Sequence, residues 1–343
     1  MINLTSIATQ QQRALLIEFN RIIASIKDGA ILKQLEAAIE LNDVDAVYDI
    51  LGINESTFSP ISEIVRQSYI RGGVTGALQI GRIPKNDNMV AFNYNVRNQR
   101  AEEWLFNESS RLIVEITESQ RELVRDVMLD GMAVGDNPKT TAKNLVGRVD
   151  KSKNRRVGGV IGLTNQQAGW IGSAKQELKD LDENYFTREL RDKRLDGQIK
   201  KAIRDGKKLD AKLLNLAIER MQEKTLKYRS ETISRTESIT ALRAGQYEAI
   251  AQAIDEGGVV ASDVIKKWDA TGGHRTRHWH NQAEQDYRDG IPLDEPFVVA
   301  GEMLMYAGDT SLGATGKNTI NCRCRMIAEI DFGKKLARLE GFA

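Results

Sequence analysis

A chain of 343 residues is longer than one hydrophobic core ordinarily supports, so more than one domain is expected. Its 49 lysines and arginines against 48 acidic residues leave a formal charge of +1, which excludes a molecule-wide field drawing it onto nucleic acid or a membrane surface. Two cysteines separated by one residue cannot bridge each other without strain, which argues against a disulfide framework, and no apolar run approaches the roughly 20 residues that span a bilayer.

The opening residues lack the basic-then-apolar pattern of a secretion signal, so a soluble protein made in a reducing cytoplasm is expected. Between residues 9 and 26, Leu15, Leu16, Phe19, Ile22, Ile23 and Ile26 recur at three- and four-residue steps, one face of a helix. Shorter helices are expected at about 31–41 and 42–51, where Gly52 offers a stop. Ser59-Pro60 opens another through Ile64, Val65 and Tyr69 into Gly72-Gly73-Val74-Thr75-Gly76-Ala77. That patch lacks the Gly-Lys-Ser/Thr ending of a phosphate loop, so close helix packing or a turn is expected.

A loop over 83–88 and a short extended piece over 89–94 precede a long helix from about Val96 to Met128, with a break near Asn107. A short helix starts at Pro138. The polar segment 150–156 and Gly158-Gly159 follow, and Thr164 then caps a further helix. The helix over 211–227, carrying Leu213, Leu214, Leu216, Ala217 and Met221, reads on without a break to about Glu256. Gly257-Gly258 ends it, and a strand is expected around 266–270.

From 138 to 230 there are 23 lysines and arginines against 12 acidic residues, whereas the first 60 residues carry 4 against 8. Such a basic stretch attracts phosphate and releases its counterions, meets an acidic protein, or is simply solvated, and all three stay open.

All three histidines (His274, His278, His280) and both cysteines (Cys322, Cys324) fall between Trp268 and Arg325. Imidazole nitrogen and thiolate are zinc ligands, and zinc takes four in a tetrahedron. The candidates are His280, Cys322 and Cys324, with His278 or His274 as the fourth. The alternative has His280 hydrogen-bonded inside its module and the cysteines packed as small buried groups. A nuclease would draw a general base and phosphate-binding cations from the histidines beside their arginines and the acidic loop of Asp286, Asp289, Asp294 and Glu295, and Arg323 and Arg325 would lower the Cys322 pKa. Yet no H-N-H, H-E-x-x-H, G-x-S-x-G or Walker pattern appears, so the chain is expected not to be an enzyme.

The stretch also carries Trp268-Asp269-Ala270, Arg275-Thr276-Arg277 with His280, and Asp289-Gly290-Ile291-Pro292-Leu293-Asp294-Glu295-Pro296-Phe297. Gly301-Glu302-Met303-Leu304-Met305-Tyr306-Ala307-Gly308-Asp309 and Asn321-Cys322-Arg323-Cys324 complete the succession. Ser234-Arg235-Thr236-Glu237 and a helix with Ala244-Gly245 lead into it. This order resembles the C-terminal module of tailed-phage minor head proteins, the Mu F-like head morphogenesis family. The resemblance implies a small module built by Trp268, Arg275, Arg277, His280, Gly290, Phe297, Asn321, Cys322 and Arg323. It further implies a minor capsid protein in the virion, bound to the portal inside the capsid, assisting head assembly and genome packaging or ejection.

The implied partners are the portal protein, then other capsid or scaffolding proteins and double-stranded DNA, with no membrane. Relatives carry Cys-x-x-Cys where this chain has 277–280 and a histidine just before Cys-Arg-Cys. Here Arg277 takes one such position and 318–321 supply no histidine, which implies either no cofactor or zinc on a reduced ligand set. A phage-borne metal-dependent nuclease or toxin-like enzyme, and a DNA-binding accessory protein, are the alternatives. The expected architecture is mainly α in a helical N-terminal region (1–95) and a helical basic middle (96–230), with a small α+β C-terminal module (231–343).

Overall fold

A computed structural model describes residues 4–85, 88–152, 154–257 and 259–331. Asn86 and Asp87 of the expected loop, Lys153 of the polar segment, Gly258 of the expected helix stop, and residues 1–3 and 332–343 lie outside the described residues. The chain opens with α1 (Leu4–Gly29), α2 (Leu32–Glu40), α3 (Val44–Leu51), α4 (Glu55–Ile80) and the strands β1 (Arg82–Lys85) and β2 (Asn88–Ala91). Next come α5 (Gln99–Ala133), α6 (Pro138–Val146), β3 (Arg148–Asp150), β4 (Arg155–Val157), α7 (Asn165–Asp180), α8 (Asp196–Arg204) and α9 (Ala211–Asp255). The last stretch holds β5 (Val264–Asp269), α10 (His278–Asp286), β6 (Ile291–Pro292), β7 (Phe297–Val299), β8 (Glu302–Leu304), α11 (Gly316–Thr319) and β9 (Arg325–Ile330). The protein is mainly α, with a small α+β module toward its C-terminal end. No helix of the described residues is long and apolar enough to cross a membrane.

Local chemistry accounts for many of these boundaries. Asp43 caps α3 by accepting the Ala46 N–H at 2.9 Å, and Gly52 closes it in the left-handed conformation at φ 63°. Thr164 and Gln167 form a reciprocal capping box at the start of α7. Pro60 lies inside α4 rather than at its start, because Ser59 Oγ donates to the Ser56 carbonyl that proline cannot reach, at 2.8 Å. The expected break near Asn107 is absent, and α5 runs through it. The described ends of the polar segment fall in β3 and β4, which pair antiparallel with Arg148 opposite Val157 and Asp150 opposite Arg155.

The chain divides into two compact units, Ile17–Pro60 with Arg111–Glu231, and Met1–Leu16 with Ile61–Ser110 and Thr232–Ala343. In the first, Phe19, Ile23, Leu35, Val47, Leu123, Val124, Leu145, Ile161 and Leu178 are buried. Gln120 brackets the turn before α7, accepting the Gly162 N–H at 2.7 Å and donating to the Leu163 carbonyl at 2.9 Å. Buried Arg229 donates to the Gly162 carbonyl at 3.1 Å, and burial holds its pKa down to about 10.

In the other unit, α4 and α9 pack backbone to backbone. The expected role of the glycine patch, close packing, holds, and α4 continues through it as helix. A methyl group at Gly72 would run into the Leu242 carbonyl, and one at Gly245 into the Tyr69 carbonyl. Gly73 leaves room for the Tyr94 ring, and Tyr69 stacks on Trp104 at 4.5 Å. The module sheet runs β6-β5-β9, all antiparallel, with Trp268 opposite Met326 and Asp269 opposite Arg325. Along β5 the side chains of Val264, Lys266 and Trp268 are buried in alternation.

These contacts separate two kinds of glycine. Gly245→Ala is expected to lower stability by more than about 3 kcal/mol, because the obstacle is backbone and cannot yield. Gly169→Ala on α7, where nothing lies within 4 Å, should raise it by about 0.5–1 kcal/mol. Urea denaturation midpoints of the two variants check the pair.

Candidate metal centre

Four separated pieces of one unit converge on His280. Strand β5 contributes Trp268, 2% exposed, whose ring meets the His280 ring edge-on at 5.4 Å and Phe297 likewise at 5.4 Å. Helix α10 begins at His278, and its pitch turns His280 and Ala283 inward while His278 faces solvent against Trp279. The β7–β8 hairpin turns through Ala300 and Gly301, both at positive φ, which carries Glu302 back beside Val299. Residues 315–324 bring Asn318, Cys322 and Cys324, with both cysteines buried and free of disulfide.

Helix α9 and α10 hold that last segment. Asn321, at φ 59°, accepts from Arg235 Nη1 at 2.6 Å, and its backbone N–H donates to Thr236 Oγ1 at 3.0 Å. Arg277 donates to the Ile320 carbonyl at 2.7 Å. Arg243, buried, donates to the carbonyls of Ala307 at 2.9 Å and Cys322 at 3.4 Å. Burial lowers the Arg243 pKa, countered by the two neighbouring cysteines.

The hydrogen bonds around Asn318 fix the histidine. One end of its amide faces the Val299 carbonyl at 2.9 Å and the Glu302 carboxylate at 2.7 Å, both acceptors, so that end is the NH2 group. The other end is therefore oxygen, and it accepts from Trp279 Nε1 at 2.8 Å and from His280 Nε2 at 3.1 Å. His280 consequently carries its proton on Nε2 and turns Nδ1 toward both sulfurs, 3.2 Å from Cys324 Sγ and 3.7 Å from Cys322 Sγ. The hydrogen bond from Cys324, with the Arg243 guanidinium nearby, lowers the Cys322 pKa against burial. The same bond and burial push Cys324 up.

One nitrogen and two sulfurs within 4.8 Å of one another are donors of the kind zinc takes, and the Glu302–Asn318–His280 chain is the outer support that ligating histidines use. Among the described residues no fourth histidine, cysteine or carboxylate joins them, whereas structural zinc takes four ligands. The trio also closes on itself, with Cys324 Sγ at 3.2 Å within hydrogen-bond reach of the accepting His280 Nδ1. Asp286, Asp289, Asp294 and Glu295 are exposed and form no such group.

The residues expected to build the module thus take different places. Trp268, His280, Phe297 and Cys322 share one core with Cys324, Leu304 and Ala307. Gly290, at φ 86°, seats a turn against Ile265, where a Cβ would lie 3.1 Å from Cδ1. Arg277 and Asn321 are anchors, and Arg275, Arg323, His274 and His278 lie at the surface. Asn318, Glu302 and Arg243 escape the sequence reading of the site. Glu302 does stand inside the quoted Gly301–Asp309 motif, which was the signal available. Compared with protein-family models, curated proteins and solved structures, the chain finds no match in any of the three.

Asn318→Ala strands the His280 and Trp279 N–H groups, which share its oxygen. The expected loss is about 2–4 kcal/mol of stability. Arg323→Ala, at an exposed position, should stay within about 0.5 kcal/mol of the parent by the same denaturation measurement.

Proposed function

We propose that this chain is a minor head protein of a tailed phage, binding the portal on the capsid interior and assisting head assembly and genome packaging or ejection. One observation carries the reading. The separated motifs that resemble the Mu F-like module draw together in space: Trp268, His280, Phe297, Cys322 and Cys324 pack as one core, while Arg235 and Thr236 of the entering helix grip Asn321. A chance likeness of short motifs gives no reason for them to share a core. The arrangement suits binding rather than turnover, because the ring–thiol cluster is buried under Trp268 and Phe297, where it rigidifies the module.

In this reading His280, Cys322 and Cys324 form a structural lock, and zinc is the cofactor their donor atoms suit. The hydrogen-bonded lock expects less than about a tenth of an equivalent of zinc per purified chain by elemental analysis. A full equivalent retained through gel filtration reassigns the three residues to a metal.

The portal assignment is tested by mixing the purified chain with the portal oligomer of the phage that encodes it. Co-migration on a density gradient is expected. Separate migration, or a particle map that places the chain away from the portal vertex, sinks the assignment.

A further inference from the structure

A cleft of about 410 Å³ lies between the second half of α1, strand β4 and the part of α9 from Arg220 to Lys227. Ile23, Ala24 and Leu226 give it apolar lining, and Arg155 and Lys227 are exposed cations on its walls, Lys227 also lying 3.8 Å from Glu231. Lys27 also lines it, yet is only 7% exposed. Of the three N–H groups of that ammonium, one donates to the Gly158 carbonyl at 2.9 Å, and the cation has no ion pair among the described residues.

The two carboxylates of the lining make other contacts of their own: Asp28 accepts the Arg156 N–H at 2.7 Å, and Glu223 pairs with Arg220 at 3.0 Å, so neither bonds Lys27 directly. Burial pulls the Lys27 pKa down to about 8, against Asp28 and Glu223, which raise it. Its place in the last turn of α1 favours the charged form. A buried cation with donors to spare, facing a cleft rimmed by two more cations, calls for an anion of more than one charge and several acceptor oxygens.

We propose that this cleft binds a phosphate-type oxyanion, with Lys27 as the buried anchor, Arg155 and Lys227 at the mouth, and the apolar lining against the group that bears the phosphate. The phosphate belongs either to a free phosphomonoester or to a nucleic-acid backbone. The inference stands independently of the portal assignment, since it uses none of the module residues.

The test is calorimetric titration of the full chain, at fixed salt, with inorganic phosphate, a nucleoside monophosphate and a short DNA duplex. At least one probe is expected to bind, and Lys27→Met and Arg155→Gln each to weaken it about tenfold or more. Lys207→Gln, an exposed lysine outside the cleft lining, should leave binding unchanged. Binding of the nucleotide without the duplex identifies a free phosphomonoester; duplex binding weakened by both cleft variants identifies the backbone. Should Lys27→Met fail to fold, exposed Arg155→Gln decides alone. No binding by any probe, unchanged affinity in the cleft variants, or an equal loss with Lys207→Gln overturns the proposal.

Discussion

An imidazole buried beneath a tryptophan needs partners for both nitrogens, and in this chain one asparagine amide decides how they are met. Asn318 has acceptors on one side and donors on the other, so its orientation is forced and with it the proton position on His280. Nδ1 is then left to the two sulfurs. Strand β5, helix α10, the β7–β8 hairpin and residues 315–324 are joined by this single arrangement. Each of the four is short. The module therefore depends on a satisfied polar network as much as on its apolar packing.

Buried cations repeat that logic elsewhere. Arg243 and Lys266 in one unit, and Arg229 in the other, each reach to a backbone carbonyl of a non-helical segment. Lys266 lies between the Tyr247 and Phe297 rings, its pKa drawn down to about 8 by burial. A long cationic side chain covers apolar surface with its stem and spends its charge on a carbonyl, which ties irregular backbone to a helix or strand. This accounts for how the stretch around Gly162 and that around Ala307 stay placed without regular pairing.

How much of this could be read from the residues depends on the range of the cause. The end of α3 at Gly52, the cap at Thr164 and the unbroken α9 follow from local chemistry and stand in the sequence plainly. The glycines at 72, 73 and 76 hint at close approach, but their partners Leu242, Tyr94 and Ala249 are remote in the chain. The β3–β4 pair has no apolar alternation; it is held by Asp28 accepting the Arg156 N–H and by the Arg156 side chain on the Gly147 and Ala30 carbonyls. In the site, imidazole and thiol announce themselves by rarity, while Asn318, Glu302 and Arg243 are common residues whose roles exist only once the chain has folded. Arg275 and Arg323 show the converse, since their place in the motif gave no sign of their exposure.

The proton on His280 is the most direct test of the account. A nitrogen–proton correlation spectrum of the full chain at neutral pH, with the imidazole nitrogens labelled, reports which nitrogen bears hydrogen. The account predicts a slowly exchanging proton on Nε2 that loses its protection in Asn318→Ala. A His280 ring with Nε2 unprotonated and the hydrogen on Nδ1 alone would contradict it.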